Sequence, residues 1–193
     1  MNLNRTKKIV GLILMVIVIG IGAFALNTKP VSAESILERL DLNDQELTSV
    51  VMALDERLDE PQDIGARITG EALLLYQGEE ELSVPLPEGL FFVSIAPYIN
   101  DVHPCTIHNL VTCRGELYGE TMLITITLSD GSVLYNEERT TQANGFIGLW
   151  LPSNIEGILT VEMPNRIATH PISSDASSDT CITTPLKLLP KSI

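Results

Sequence analysis

From residue 71 onward the chain consists of short β-forming runs separated by turn residues, and this pattern restricts its fold more than any other feature. Apolar and polar residues alternate over residues 122–128, and Asp130-Gly131 separates this run from a return run, as in a β-hairpin. Three further runs follow, at residues 146–151, 157–163 and 166–172. Strands of this length and spacing predict a small β-sandwich over residues 118–172.

The preceding region, residues 34–117, begins with a helical pattern. Five apolar residues recur with the spacing of one helical face, namely Leu47, Val50, Val51, Leu54 and Leu58. We expect Asn43 or Asp44 to cap this helix and Pro61 to close the region. A short helical turn over residues 35–40 is predicted to come before it.

Short β-type runs follow the helix within the same region. Residues 72–77 and 81–84 predict a hairpin around Gly78-Glu79, and the unbroken apolar run 90–96 predicts a strand that is buried on both faces. That strand leads into a loop with two cysteines. The predicted fold class is therefore α+β, with an N-terminal helical segment and short β-strands followed by a small C-terminal β-sandwich.

Residues 1–33 have the composition of an export signal. Three cations lie among the first eight residues, an uncharged apolar run extends from residue 9 to residue 26, and Val31-Ser32-Ala33 suits signal peptidase. We expect cleavage before Glu34 and export to the periplasm or another extracytoplasmic space. The apolar run also reaches the lower length limit for a membrane span, so an uncleaved membrane anchor is the alternative.

The chain that remains after cleavage is strongly acidic. Only eight of the 12 basic residues lie after residue 33, against all 25 acidic residues, which leaves a formal charge of −17. Such a surface repels nucleic acid and anionic membranes, so we expect no nucleic-acid partner. We interpret the acidic residues as a solubilising surface, because none of their runs has the regular spacing of a calcium-binding loop.

Three cysteines and a histidine carry the candidate chemistry. Cys105 and Cys113 bracket His108, and Cys181 follows 68 residues later in a tether and tail, residues 173–193. Cys181 can join the other thiols only if this tail folds back. Its polar tether of eight residues spans about 26 Å at about 3.3 Å per residue, which is enough to cross a small domain. Thiolates and imidazole favour Cu(I) or Zn(II) over Mg(II) or Ca(II). His103, just before the loop, is the weakest candidate ligand.

The spacing of these residues leaves several chemistries open. The thiols could bind copper, with His108 as a ligand or as a neighbour of the site. Exported proteins normally pair their thiols, so a Cys105–Cys113 disulfide could instead staple the loop and leave Cys181 free or bridging two chains. A thiol–disulfide redox protein would use the same pair, with Cys181 as the resolving thiol. A structural zinc site of the Cys3His type is the third possibility, although the spacing matches no standard zinc module.

Three motifs follow one another along the mature chain. The first lies within residues 94–117 and contains His103-Pro-Cys105-Thr-Ile-His108-Asn-Leu-Val-Thr-Cys113. The second is Asn144-Gly-Phe-Ile-Gly-Leu-Trp-Leu-Pro152, and the third is Asp179-Thr-Cys181-Ile-Thr-Thr184. In this order they resemble the CueP family of exported copper-resistance proteins, and the resemblance covers nearly all of the mature chain.

This resemblance implies a periplasmic or extracytoplasmic protein that binds copper through Cys105, Cys113 and Cys181. It also implies an association with homodimers and with reduction of Cu(II) to Cu(I). Two thiols can reduce two Cu(II) ions while they form one disulfide, and an oxidising compartment would then require a partner that reduces the disulfide again. A thiol–disulfide reductant or a copper exporter is therefore the expected protein partner.

The sequence contains no motif of a conventional enzyme. It has no P-loop, no dinucleotide fingerprint, no nucleophile elbow and no H-E-x-x-H. The three cysteines and the CueP resemblance imply instead a protein that sequesters Cu(I) and contributes to copper tolerance, with thiol-driven Cu(II) reduction as its one candidate reaction.

Overall fold

β-Strands form most of the secondary structure in the computed structural model, which describes residues 31–191. Two short helices come first, α1 at Ala33–Arg39 and α2 at Leu47–Asp55. The strands are β1 Ile64–Ile68, β2 Ala72–Gln77, β3 Glu80–Pro85, β4 Leu90–Ile95, β5 His108–Asn109, β6 Thr121–Leu128, β7 Val133–Thr140, β8 Ile147–Pro152, β9 Glu156–Met163, β10 Arg166–Ser173, β11 Cys181–Ile182 and β12 Leu189–Pro190. None of the helices in residues 31–191 is both long and apolar enough to cross a membrane. The predicted export signal lies almost entirely outside the described residues.

The strands form three sheets, which agrees with the α+β class in its coarse form. One sheet has the order β3-β2-β1-β5, a second β12-β10-β9-β6-β7 and a third β11-β4-β8. The residues predicted to form a sandwich thus contribute four strands to the second sheet, whereas β8 pairs with β4 in the third. The described residues group into one compact unit, and the division at residues 118 and 173 stays a prediction.

The two helices cover the first sheet with their apolar side chains. Val50, Val51 and Leu54 of α2 are buried, as the helical periodicity predicts. The N-cap of α2 is Glu46, without a side-chain hydrogen bond, so the predicted cap at Asn43 or Asp44 is wrong. Leu58 was also predicted on the buried face, but it lies beyond the end of the helix and is exposed.

Strand β4 separates two apolar cores, and its side chains alternate between them because successive residues of a strand point to opposite faces. Phe91, Val93 and Ile95 pack in one core with residues of β6, β8 and β9. Phe92 packs in the other core with residues of the two helices, β1 and β2. The prediction of a strand buried on both faces is confirmed. Ser94 follows Phe92 on the helix side of the strand.

The cysteine loop and the C-terminal tail meet beside β4. Strand β5 pairs His108 with Ile68 of β1, and β11 pairs Cys181 with Ser94 in a parallel register. Thr180 fastens the two segments together, because its Oγ1 donates to the Ile68 carbonyl over 2.6 Å and accepts from the His108 amide over 3.1 Å. The tail therefore folds back onto the cysteine loop, as it must if Cys181 is to lie near Cys105 and Cys113.

Candidate metal centre

Four side chains that can ligate a metal ion converge at this junction. Cys105, His108, Cys113 and Cys181 each offer one ligand atom, and these atoms all lie within 4.8 Å of one another. The Sγ atoms of Cys105 and Cys113 are 3.8 Å apart, and His108 Nδ1 lies 3.3 Å from Cys181 Sγ. All three cysteines are free thiols, so the alternative loop disulfide is not formed in this structure.

A turn at Asn109 brings Cys105 and Cys113 together across eight residues. The Asn109 side-chain oxygen accepts hydrogen bonds from the amides of Val111 and Thr112, over 3.1 and 3.0 Å. The Cys113 amide then donates to the Asn109 carbonyl over 3.2 Å. Asparagine favours such turns because its short side chain can bond to the backbone two residues further on. The turn reverses the chain so that both thiols face the same point.

Arg114 ties the end of this loop to the segment that follows α2. Its guanidinium donates to the carbonyls of Val111 and Cys113, each over 2.8 Å, and to the Leu58 carbonyl over 3.1 Å. Three backbone contacts from one planar group hold the Cys113 backbone at a fixed place. Hydrogen bonds therefore hold the loop both at the Asn109 turn and at its C-terminal end.

The centre is accessible from the side of Cys105 and Cys113. His108 and Cys181 are buried, with 0% and 1% of their surface exposed, whereas Cys105 and Cys113 are half-buried. A cavity of about 340 Å³ adjoins the two half-buried thiols, and its wall consists of His103, Cys105, Thr112, Cys113, Arg114 and Phe146. His103 thus lies at the entrance and outside the cluster of four donors. An ion would enter past Cys105 and Cys113.

The donor set and its spacing fit a soft metal ion. At a metal–sulfur distance of about 2.3 Å, as in zinc thiolates, two sulfurs lie about 3.8 Å apart in a tetrahedral site and about 4.0 Å apart in a trigonal one. The Cys105–Cys113 separation of 3.8 Å falls in this range. Three sulfurs and one imidazole are donors that Cu(I) and Zn(II) prefer over oxygen ligands. The described residues can therefore hold such an ion with little movement.

The thiols differ in their tendency to ionise. Hydrogen bonds from the Cys105 and Cys181 thiols lower the pKa of Cys113 far below that of a free thiol, and His108 adds to this effect. Hydrogen bonds with the Cys105 and Cys113 thiols, together with burial, raise the pKa of Cys181. Cys113, on the cavity side, therefore ionises more readily than the buried Cys181. A thiolate is the form that binds metal and donates electrons.

His108 is held by a carboxylate that sequence analysis missed. Its Nε2 lies 2.6 Å from Oδ1 of Asp55, the last residue of α2, and both side chains are fully buried. Burial lowers the pKa of His108, but hydrogen bonds to Asp55 and to the Cys105 and Cys113 thiols raise it, and the result lies well above the usual histidine value. The signal for Asp55 was present in the sequence, because a charged residue four positions after Val51 lies on the apolar face of the helix.

Comparison with known proteins identifies the family of this chain. Residues 49–186 match the family model of the periplasmic copper-binding protein CueP. The crystal structure of S.CueP is similar, with 34% sequence identity and a TM-score of 0.77, over 83% of this chain and 100% of that chain. A search of curated proteins finds no significant match. Family match, structural similarity and the cluster of soft donors agree, and the chain belongs to the CueP family of periplasmic copper-binding proteins.

Proposed function

We propose that this chain is an exported protein that sequesters Cu(I) through Cys105, Cys113 and Cys181 and so contributes to copper tolerance. The convergence of three free thiols at one point, in a chain whose family binds copper, is the observation that carries the proposal. Three thiolates form a low-coordinate soft site, which suits Cu(I). Burial of Cys181 and His108 keeps water from the inner side of the ion.

His108 is the fourth donor in this proposal. Its Nδ1 lies beside Cys181 Sγ, and its other ring nitrogen is occupied by Asp55. The four atoms also form a Cys3His set of the kind that binds zinc in structural sites, so Zn(II) is the competing ion that any test must include.

We further propose that the thiols reduce Cu(II) to Cu(I). Two Cu(II) ions each take one electron, two thiols form one disulfide, and two protons leave to water. Cys105 and Cys113 are the pair that suits this reaction, because their sulfur atoms are 3.8 Å apart on the cavity side. A thiol–disulfide reductant then returns the pair to the thiol form.

A metal titration of the reduced mature protein, carried out without oxygen, tests sequestration. We expect one Cu(I) per chain in competition with a Cu(I) chelator, with an affinity far above that for Zn(II), and severe weakening in each single cysteine-to-serine variant. Native mass spectrometry of the loaded protein counts the metal and reports whether it is a homodimer. Tighter binding of Zn(II), or turnover of a disulfide substrate by the metal-free protein without Cu(I) binding, would contradict the proposal.

The redox proposal has its own measurement. Cu(II) is added to the reduced protein in the presence of a Cu(I)-specific chelator, and free thiols are counted before and after. We expect one chelated Cu(I) for each thiol that is lost. An unchanged thiol count without chelated Cu(I) would reject reduction and leave sequestration intact.

A further inference from the structure

We propose that Asp55 is a positioning residue that orients His108 toward the metal, so that Nδ1 rather than Nε2 becomes the donor atom. The inference rests on the proposed function, because it concerns how the same Cu(I) centre is assembled. It extends the site beyond the cysteine loop and the tail to the first part of the chain, since Asp55 ends α2.

The geometry determines which nitrogen of His108 carries the proton. A carboxylate can only accept hydrogen bonds, and Asp55 Oδ1 lies 2.6 Å from Nε2, so Nε2 must be the protonated atom. In the neutral ring the lone pair then belongs to Nδ1, which lies 3.3 Å from Cys181 Sγ. The ring also packs against Phe146, with 4.7 Å between ring centroids. The position and rotation of the imidazole are thereby set before a metal arrives, and Nδ1 is the nitrogen that can give up its proton when the metal binds.

The Asp55 carboxylate is itself held in a built niche. Ser94 Oγ donates to its second oxygen, Oδ2, over 3.0 Å, so both oxygens have partners. Gly148 pairs with Ser94 across β4 and β8, and a methyl group at position 148 would lie 2.7 Å from Oδ2. The side-chain amide of Asn144 donates to the Asp55 backbone carbonyl. Residues from three strands, β4, β5 and β8, therefore surround the carboxylate, and Asn144 holds the backbone of the same residue.

A purely structural role does not account for this arrangement. A buried ion pair is often no more stable than apolar residues of the same volume, so an aspartate among Val50, Val51 and Leu54 gives the fold little. At a metal site, by contrast, a carboxylate bonded to the outer nitrogen of a histidine fixes its tautomer and raises its basicity. Removal of such a partner typically weakens metal binding about 10–100-fold.

A double-mutant cycle on Cu(I) affinity tests the inference. Affinities of wild type, Asp55→Asn, His108→Ala and the double variant are measured by chelator competition without oxygen. We expect Asp55→Asn to weaken Cu(I) binding about 10–100-fold in the wild-type background and to have no further effect when His108 is absent. Equal weakening in both backgrounds overturns the inference, because Asp55 would then act on the fold and not through the ring.

A spectroscopic readout separates orientation from stability. In Cu(I)-loaded protein labelled with ¹⁵N, we expect the His108 Nε2 resonance of a protonated nitrogen and an Nδ1 resonance shifted by the metal. A protonated Nδ1 with metal on Nε2 overturns the inference directly. Thermal unfolding of each metal-free variant shows whether it is folded.

Ser94→Ala carries the test if Asp55→Asn does not fold. It removes one hydrogen bond to Asp55 and leaves the pair with His108, so we expect a loss of Cu(I) affinity of a few fold that disappears in the His108→Ala background. Ser174→Ala is the matched control, since Ser174 is equally buried and its hydroxyl bonds to backbone groups of Pro152 and Ile155. Absence of Cu(I) binding in the wild type overturns the proposed function itself, whereas wild-type binding without coupling overturns only the role of Asp55.

Discussion

Replacement of Cys181 by serine removes one sulfur ligand with little change in side-chain shape. Cys181 is buried in β11, and its Sγ faces His108 Nδ1 at 3.3 Å. A serine hydroxyl at the same place can bond to that nitrogen. We therefore expect the metal-free variant to lose no more than about 1.5 kcal/mol in free energy of unfolding, the scale of one hydrogen bond.

We expect copper to raise the thermal stability of the wild type much more than that of this variant. Free Cu(I) at 100 times the wild-type Kd stabilises the folded state by about 2.7 kcal/mol. For a domain of this size that raises Tm by about 5–11 °C. Loss of a metal-bound sulfur should exceed the loss of about 100-fold seen for outer partners of ligands. At the same Cu(I) concentration the variant is then stabilised by at most about 0.4 kcal/mol, which raises its Tm by about 1–2 °C.

Circular dichroism melts under a buffered Cu(I) concentration measure both quantities. Thr183→Val is the matched control, because Thr183 lies two residues further along the same tail and its Oγ1 donates to the His103 carbonyl over 3.0 Å. We expect this control to melt earlier without metal and to keep the full copper-dependent shift. A copper-dependent shift in Cys181→Ser equal to that of wild type would refute the three-sulfur centre.

Neighbouring thiols hold the pKa of Cys113 far below the ordinary value and that of Cys181 above it. Because the lowered pKa keeps Cys113 ionised, iodoacetamide should label it at pH 6 as fast as at pH 8 in reduced metal-free protein, with Cys181 unlabelled in peptide mass spectra. Gly148→Ala places a methyl group 2.8 Å from the Phe92 ring and also against Asp55. Urea unfolding should show that this variant loses about 1–3 kcal/mol in free energy of unfolding. Val93 packs in the core on the other side of β4 from Asp55. Val93→Ala should lower the free energy of unfolding by about 1–3 kcal/mol and leave the Cu(I) affinity of the folded protein unchanged.

Local patterns in the sequence predict most of the long strands. The run 72–77 coincides with β2, and the turn at Gly78-Glu79 separates it from β3. The apolar run 90–96 predicts β4 to within one residue, because an unbroken apolar strand is buried on both faces wherever it lies. Strands β6, β8, β9 and β10 lie within one residue of their predicted starts and ends, since alternation and turn residues act over a few neighbours.

The short strands that bring the metal centre together have no comparable pattern in the sequence. β5 and β11 have two residues each, too few for any periodicity, and they exist because Ile68 and Ser94 offer backbone partners far away in the chain. The three cysteines and His108 were recognisable by their chemistry and by family resemblance. Asp55 was detectable only as a charged residue on the apolar face of α2, and no local pattern connects it with His108, which lies 53 residues away in the sequence. Residue types thus indicate what can react, whereas only long-range pairing shows which groups meet.

The parallel pairing of β11 with β4 has a consequence for biosynthesis. A nascent chain that ends before residue 181 already contains both helices, β4 and the first two thiols, but it lacks the strand that pairs with β4 on the edge opposite β8. Pairing between residues so far apart closes late, since the entropy of a long loop must be lost before any contact compensates for it. The full set of three thiols and His108 therefore comes together only in a chain that has been synthesised to its C-terminal tail and has folded.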